Sequence, residues 1–413
     1  MSILVGNRNF RLVFSASAIS NLGDGISALA FPWLATLITR DPTLIALVAF
    51  ATRLPWLLLS IPAGVITDRQ DRQRLLVLAD IFRFILTIGV IALILSIDSF
   101  PPVGNPHLYI LALSGIAFLL GTAEVLRDNA AQTILPSVVT ASDLEHANGQ
   151  LWSVEQIMGS FVGPPLAGIL IATAVPVPFV VDAATFALAA WIIWCLSIPP
   201  RPKTPRRSMI AEASEGVHWM LAHRSVLQLA IMLGIMNALA TMTITILILF
   251  SQEILGLSAV GHGALLTAGA AGGVAGGLIC PKIVARIGSL RSLKLALFTF
   301  PIPFLIIALT NSVALVAIAL FIEMFAALLW NVVTVSYRQR LIPDVLLGRV
   351  NSIYRFFGWG MMPIGALLGG WIVAFAEPDL GRETALRLVY AIACIGSLSM
   401  FLYGLARLRL NTA

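Results

Sequence analysis

Apolar residues run along the chain in blocks of about 20, the length a helix needs to cross a hydrocarbon core about 30 Å thick, and Gly, Pro or clustered charge separates the blocks. Twelve such blocks occur, at residues 12–38, 43–66, 75–97, 107–130, 150–173, 177–198, 226–252, 258–281, 290–310, 312–336, 350–376 and 386–407. The pattern predicts an all-α integral membrane protein. Between the sixth and seventh blocks lies Pro199-Pro200-Arg201-Pro202-Lys203-Thr204-Pro205-Arg206-Arg207, a stiff basic linker. The stretch from Ile210 to Leu221 then has the character of a helix lying on a membrane surface. The chain divides into a six-helix bundle at 1–198, a cytoplasmic linker at 199–225 and a second six-helix bundle at 226–413.

Composition agrees with this. The chain is 59% hydrophobic and 11% charged, against about 25% charged in soluble domains, so a soluble enzyme is excluded. The net charge of +6 is a topology signal before it is a binding signal, and no nucleic-acid partner is expected. Of the 26 basic residues, 20 fall on one side of the twelve-span arrangement and only Arg40, Arg382 and Arg387 on the other. Basic residues gather in cytoplasmic loops, so both termini are expected in the cytoplasm of a bacterial inner or plasma membrane. Arg8 and Arg11 precede an apolar run too long for a signal peptide, which reads as a retained first span. Cys195, Cys280 and Cys394 are odd in number and widely spaced, which suggests packing and neither a disulfide framework nor a metal site.

An even six-plus-six chain suggests two related halves around a midplane site. Gln132 to Pro136 with Asn148 faintly echoes Arg340 to Pro343 with Asn351. The most specific motif is Gly64-Val65-Ile66-Thr67-Asp68-Arg69-Gln70-Asp71-Arg72-Gln73-Arg74, between the second and third blocks. It resembles the signature loop of the major facilitator superfamily, with Asp71 in place of the usual second glycine, as in the branch of macrolide-efflux and enterobactin-exporter proteins. Asn21 to Gly25, Asp182 to Phe186, Glu215-Gly216, and Arg338 to Asp344 with Gly348 to Asn351 extend the likeness over nearly the whole chain. Gly159, Gly163, Pro164 and Gly168 match part of the superfamily's antiporter motif, while Ala167 departs from it. The resemblance implies a major facilitator fold and export by antiport.

Charged residues inside a bilayer cost about 2.5 to 3.5 kcal/mol each, so each needs a partner or a wet cavity. One layer lies near the cytoplasmic face. There Gly64, Asp68, Arg69, Asp71 and Arg72 of the loop, with Asp80, Arg83, Glu124, Arg127, Asp128, Glu155 and Arg355, read as the latch of an inner gate. Asp68 is placed to cap a neighbouring helix, and Arg69 and Arg72 to reach carboxylates or last-turn carbonyls. A second layer lies about 18 to 20 Å deep at 1.5 Å per residue and holds Asp24, Arg53 and Glu323. A carboxyl group taken out of water holds its proton more tightly, and a neighbouring arginine opposes this. Asp24 and Glu323 are therefore proton-carrier candidates, with an Asp24 to Arg53 ion pair as the structural alternative. Asp182 suggests helix packing. Asn21, Asn237, Thr241 and Thr245 are candidates to line a cavity, the last three at helical spacing that equally suits back-bonding to their own helix. The glycines from Gly269 to Gly277 form a close-packing stripe.

The sequence predicts a monomeric, proton-coupled secondary transporter that exports amphipathic drugs or metabolites by alternating access. The small molecule and the lipid bilayer are its partners, and it needs no cofactor beyond the proton gradient. Siderophore export and solute symport are the alternative transport readings. A scaffold would have no use for midplane carboxylates, and an intramembrane enzyme lacks HExxH and GxSxG motifs.

Overall fold

The computed structural model describes residues 3–140, 143–197 and 209–409. Among the described residues, twelve helices are long and apolar enough to span a membrane. They are α1 (Arg8–Ile38), α2 (Pro42–Ser60), α3 (Arg72–Leu95), α4 (Pro106–Ser137), α5 (His146–Thr173) and α6 (Val177–Trp194), followed by α7 (Arg224–Glu253), α8 (Ala259–Ile287), α9 (Ser289–Leu309), α10 (Val313–Leu341), α11 (Arg349–Leu380) and α12 (Arg382–Arg407). A connecting helix, Met209–Ala222, precedes α7. The basic linker preceding it, residues 199–207, lies outside the described residues.

Local chemistry sets several helix ends. Asn7 accepts from Phe10 N at 3.0 Å, Asp71 from Arg74 N at 2.8 Å and Asn105 from His107 N at 2.9 Å, satisfying first-turn N–H groups of α1, α3 and α4. The helix of α2 continues through Arg69. Within α5, Ile157–Val162 is a π segment, and Gly163 N–H reaches back five residues to Met158 O. Pro164 follows at once and supplies no N–H of its own, so the hydrogen-bond ladder is rephased at this point.

The chain forms two compact units. The first comprises Met1–Arg40, Ala51–Arg206 and Ser258–Ala264, and the second Asp41–Phe50, Arg207–Leu257 and Leu265–Ala413. In the first, Phe10, Val13, Leu76, Ile134 and Ile193 form a buried cluster where α1, α3, α4 and α6 converge. In the second, Leu229, Leu297, Trp330, Val350 and Tyr354 do the same for α7, α9, α10 and α11. Between helices already in lipid, close packing replaces the hydrophobic effect as the adhesive. Glycines supply it here. A side chain at Gly25 or Gly163 would collide with the facing backbone of α5 or α1, and one at Gly272 with the backbone of Phe321.

Candidate functional site

The first unit contains a polar cluster built by four helices. On α1, Ser20, Asp24 and Ser27 share a face; on α3, Asp80, Arg83 and Thr87 do so; on α6, Asp182 and Phe186 are one turn apart. Arg83 is the hub. It is ion-paired with Asp24, lies 3.5 Å from Asp80 Oδ1 and donates from Nη1 to Ser20 Oγ at 3.0 Å. Its guanidinium carbon stands 3.8 Å over the Phe186 ring, a cation–π contact. Arg127 of α4 reaches Asp80 Oδ1 from Nε at 2.9 Å. Two arginines and two aspartates thus neutralise one another, with Asp80 fully buried and Asp24 still 27% exposed.

This geometry corrects two sequence readings. Asp24 is not paired with Arg53, whose side chain is exposed. Counting residues fixes the height of a group along its helix but not its direction around the axis, and Arg53 points elsewhere. Nor do Asp80 and Arg83 belong to a separate cytoplasmic layer, because Arg83, eleven residues or about 16 Å into α3, reaches the depth of Asp24. Glu124 and Asp128 are half-buried on α4, on either side of Arg127 in the chain. Half-buried Glu155 accepts from Ser17 Oγ at 2.9 Å, which ties α5 to α1.

The loop after α2 stitches helix ends together. Arg72 Nη1 donates to Thr133 O, a last-turn carbonyl of α4, at 2.6 Å. Gln73 Nε2, which sequence reasoning passed over, donates to Ile193 O and Leu196 O at 3.0 and 2.9 Å and so closes the end of α6. Asp71 is the N-cap of α3 rather than a latch. The burial of Gly64 and the side chains of Asp68 and Arg69 lie outside what the structure describes.

In the second unit Glu323 of α10 is half-buried and makes neither a hydrogen bond nor an ion pair with the described residues. The polar ladder on α7 is structural. Asn237 Nδ2 donates to Gly358 O at 2.8 Å, and the hydroxyls of Thr241 and Thr245 donate to the carbonyls one turn back at 2.7 Å each. Both threonines are buried, 5% and 7% exposed, so they do not line a cavity in this structure. Asn21 likewise bonds back, to Ser17 O at 2.9 Å. Arg355 stacks 4.6 Å over Trp359. Arg338 donates to Asn351 Oδ1 at 2.8 Å and lies 3.6 Å over Tyr354, joining α10 to α11. Gly159 and Gly163 meet α1, while Gly168 meets the start of α8 at Ala259.

The family described as transmembrane secretion effector matches residues 5–409. The chain belongs to this family of major facilitators. The chain is 26% identical over 361 residues to the staphyloferrin A transporter of Staphylococcus aureus, an alignment that covers 86% of this chain and 87% of that one. It is 23% identical over 423 residues to the multidrug efflux pump Tap of Mycobacterium tuberculosis, with 97% and 94% covered. Among solved structures, the nucleoside transporter NupG superimposes with a TM-score of 0.78 at 12% identity, covering 96% of this chain and 99% of that one. In this major facilitator, then, the superfamily loop holds helix ends together, and Arg83 gathers Asp24 and Asp80 within the first unit.

Proposed function

We propose that this major facilitator is a proton-coupled exporter of amphipathic drugs or metabolites, working by alternating access as a monomer in the cell membrane. One contrast carries the reading. The deep carboxylate of the first unit, Asp24, is held by Arg83, whereas Glu323 in the second has no hydrogen-bond or ion-pair partner among the described residues. A lone carboxyl at membrane depth is expensive, and such groups mark proton or substrate pathways. The sequence holds no GxxxxGK[ST] loop, which favours an ion gradient as the energy source. That source is adequate, at about 2.3 kcal/mol per charge per 100 mV and about 1.4 kcal/mol per pH unit. The efflux-pump relative supports drugs as cargo. Siderophore export is the second reading, favoured by the staphyloferrin A transporter.

Purified protein in liposomes with an imposed pH gradient tests this, using a dye, a macrolide and a siderophore as cargo. Uphill movement of at least one is expected, collapsing with a protonophore. Movement that only ever runs downhill, whatever the gradient, would overturn proton coupling. Tags inserted near Arg206 should be cytoplasmic, and tags near Pro102 or Asp379 external, if both termini face the cytoplasm.

A further inference from the structure

Among the described residues, seven buried side-chain polar atoms have no hydrogen-bond partner. Four of them, Asp80 Oδ2, Arg83 Nε, Thr87 Oγ1 and Asp182 Oδ1, fall along one seam between α3 and α6, where the Thr87 hydroxyl faces the Asp182 carboxyl closely enough to interact with it. Unsatisfied buried groups are rare, and a concentration of them in one place calls for a functional account. Asp182 is the least expected member. It is fully buried, accepts from Ser27 Oγ at 2.6 Å and has no ion-pair partner among the described residues. Its Oδ1 lies over Gly23, where a Cβ would come within 2.5 Å of it. Asp24 is the next residue, so the chain approaches the carboxyl closely beside the other acid of the cluster. Arg83 sits between the two acids: it is paired with Asp24, stacked on Phe186 one turn from Asp182, and within electrostatic reach of Asp182.

We infer that Asp182 is a second proton site and that Arg83 is a counter-ion exchanged between it and Asp24. In the state described here Asp24 is the anion and Asp182 carries the proton. In the exchanged state the Asp182 carboxyl loses its proton and Asp24 gains one, with the hydroxyls of Ser27 and Thr87 lining the route. Arg83 then leaves Asp24 for Asp182. One proton has moved between two carboxyls, and the charge of the cluster is unchanged, so no net charge is created in the low-dielectric interior. Away from the helix ends, the other ionisable groups on the helices packed around this seam are Asp80 of α3, Glu124, Arg127 and Asp128 of α4, and Glu155 of α5. Arg127 makes the shorter contact with Asp80, and Glu155 is bonded to Ser17; Glu124 and Asp128 flank Arg127 on α4, so of the two buried arginines Arg83 is the one placed between Asp24 and Asp182. The exchange would serve the proton coupling proposed above, yet it is defined without substrate or gradient.

Infrared difference spectra of the protein in lipid vesicles, without cargo or gradient, provide the test. Wild type compared with Asp182→Asn should show the carbonyl band of one protonated carboxyl. Asp24→Asn compared with the Asp24→Asn, Asp182→Asn double variant should show none, because Arg83 released from Asp24 turns Asp182 into a carboxylate. Ser27→Ala, which removes only a hydroxyl donor, should shift the wild-type band without abolishing it, and covers the case in which Asp182→Asn does not fold. No band in the first comparison, or no shift with Ser27→Ala, overturns the proton site; a band that persists in the second overturns the exchange. Failure of transport with these bands intact would count against the exporter reading alone.

Discussion

Glu215 of the connecting helix is ion-paired with Arg349, the first residue of α11. Beside it, Gly216 lies so close to α11 that a Cβ would come 2.8 Å from Ile353 Cδ1 and 3.2 Å from the carbonyl carbon of Arg349. The glutamate is 56% exposed, and pairs of that kind are worth only about 0.2 to 1 kcal/mol. The close backbone approach matters more. Gly216→Ala should therefore loosen the connecting helix more than Glu215→Ala does, despite the better helix propensity of alanine. Limited proteolysis between α6 and α7 should rank the two variants in that order, and the reverse order would place the attachment in the ion pair.

Arg83 neutralises carboxylates on two helices, and removing one partner of a buried pair leaves a charge stranded at a cost of about 3 to 5 kcal/mol. Arg83→Met should lower the melting temperature of the detergent-solubilised protein sharply. Adding Asp24→Asn to it should recover part of the loss, since one stranded charge is then gone. Arg83→Lys should not rescue fully, because an ammonium lacks the planar fork that reaches Asp24, Asp80 and Ser20 together while stacking on Phe186. Equal melting of Arg83→Met and wild type would show that the cluster contributes nothing to stability.

How much of this could be read in advance depends on the kind of information each feature needs. The twelve spans were legible because a run of about 20 apolar residues has few alternatives to a membrane helix. The connection of Glu215-Gly216 to Arg349 was visible only as a likeness between motifs, since nothing in sequence spacing joins residues on different helices. Arg83 was found but put in the wrong layer, because position along a helix is readable while rotation and side-chain reach are not. Asp71 could have been recognised as an N-cap, being an aspartate just ahead of an apolar helix. Asp182 lies among apolar neighbours on its own helix, and Ser27 and Thr87, which give it meaning, stand on two others.

The glycine stripe of α8 offers a controlled comparison. A Cβ at Gly272 would collide with the backbone of Phe321 on α10, whereas one at Gly277 would meet nothing within 4 Å. Gly272→Ala should destabilise by about 1 to 3 kcal/mol through overpacking. Gly277→Ala should be neutral or gain up to about 1 kcal/mol from helix propensity. Thermal melting of both variants in the same detergent separates the readings. Equal effects would mean that the stripe is not a packing surface.

Glu323 is the remaining test of energy coupling. Its carboxyl lies inside α10 without a hydrogen-bond or ion-pair partner among the described residues, so replacing it strands no counter-charge. Glu323→Gln keeps the shape of the side chain and is permanently neutral, the state a proton carrier occupies after loading. The variant should fold and bind cargo, lose gradient-driven accumulation in liposomes, and retain at most downhill exchange whose rate no longer follows pH. Glu323→Asp, which keeps a titratable group on a shorter stem, should preserve part of the uphill activity. If the glutamine variant accumulates cargo uphill with the wild-type dependence on pH, the proton travels elsewhere, and Glu323 serves cargo orientation or packing.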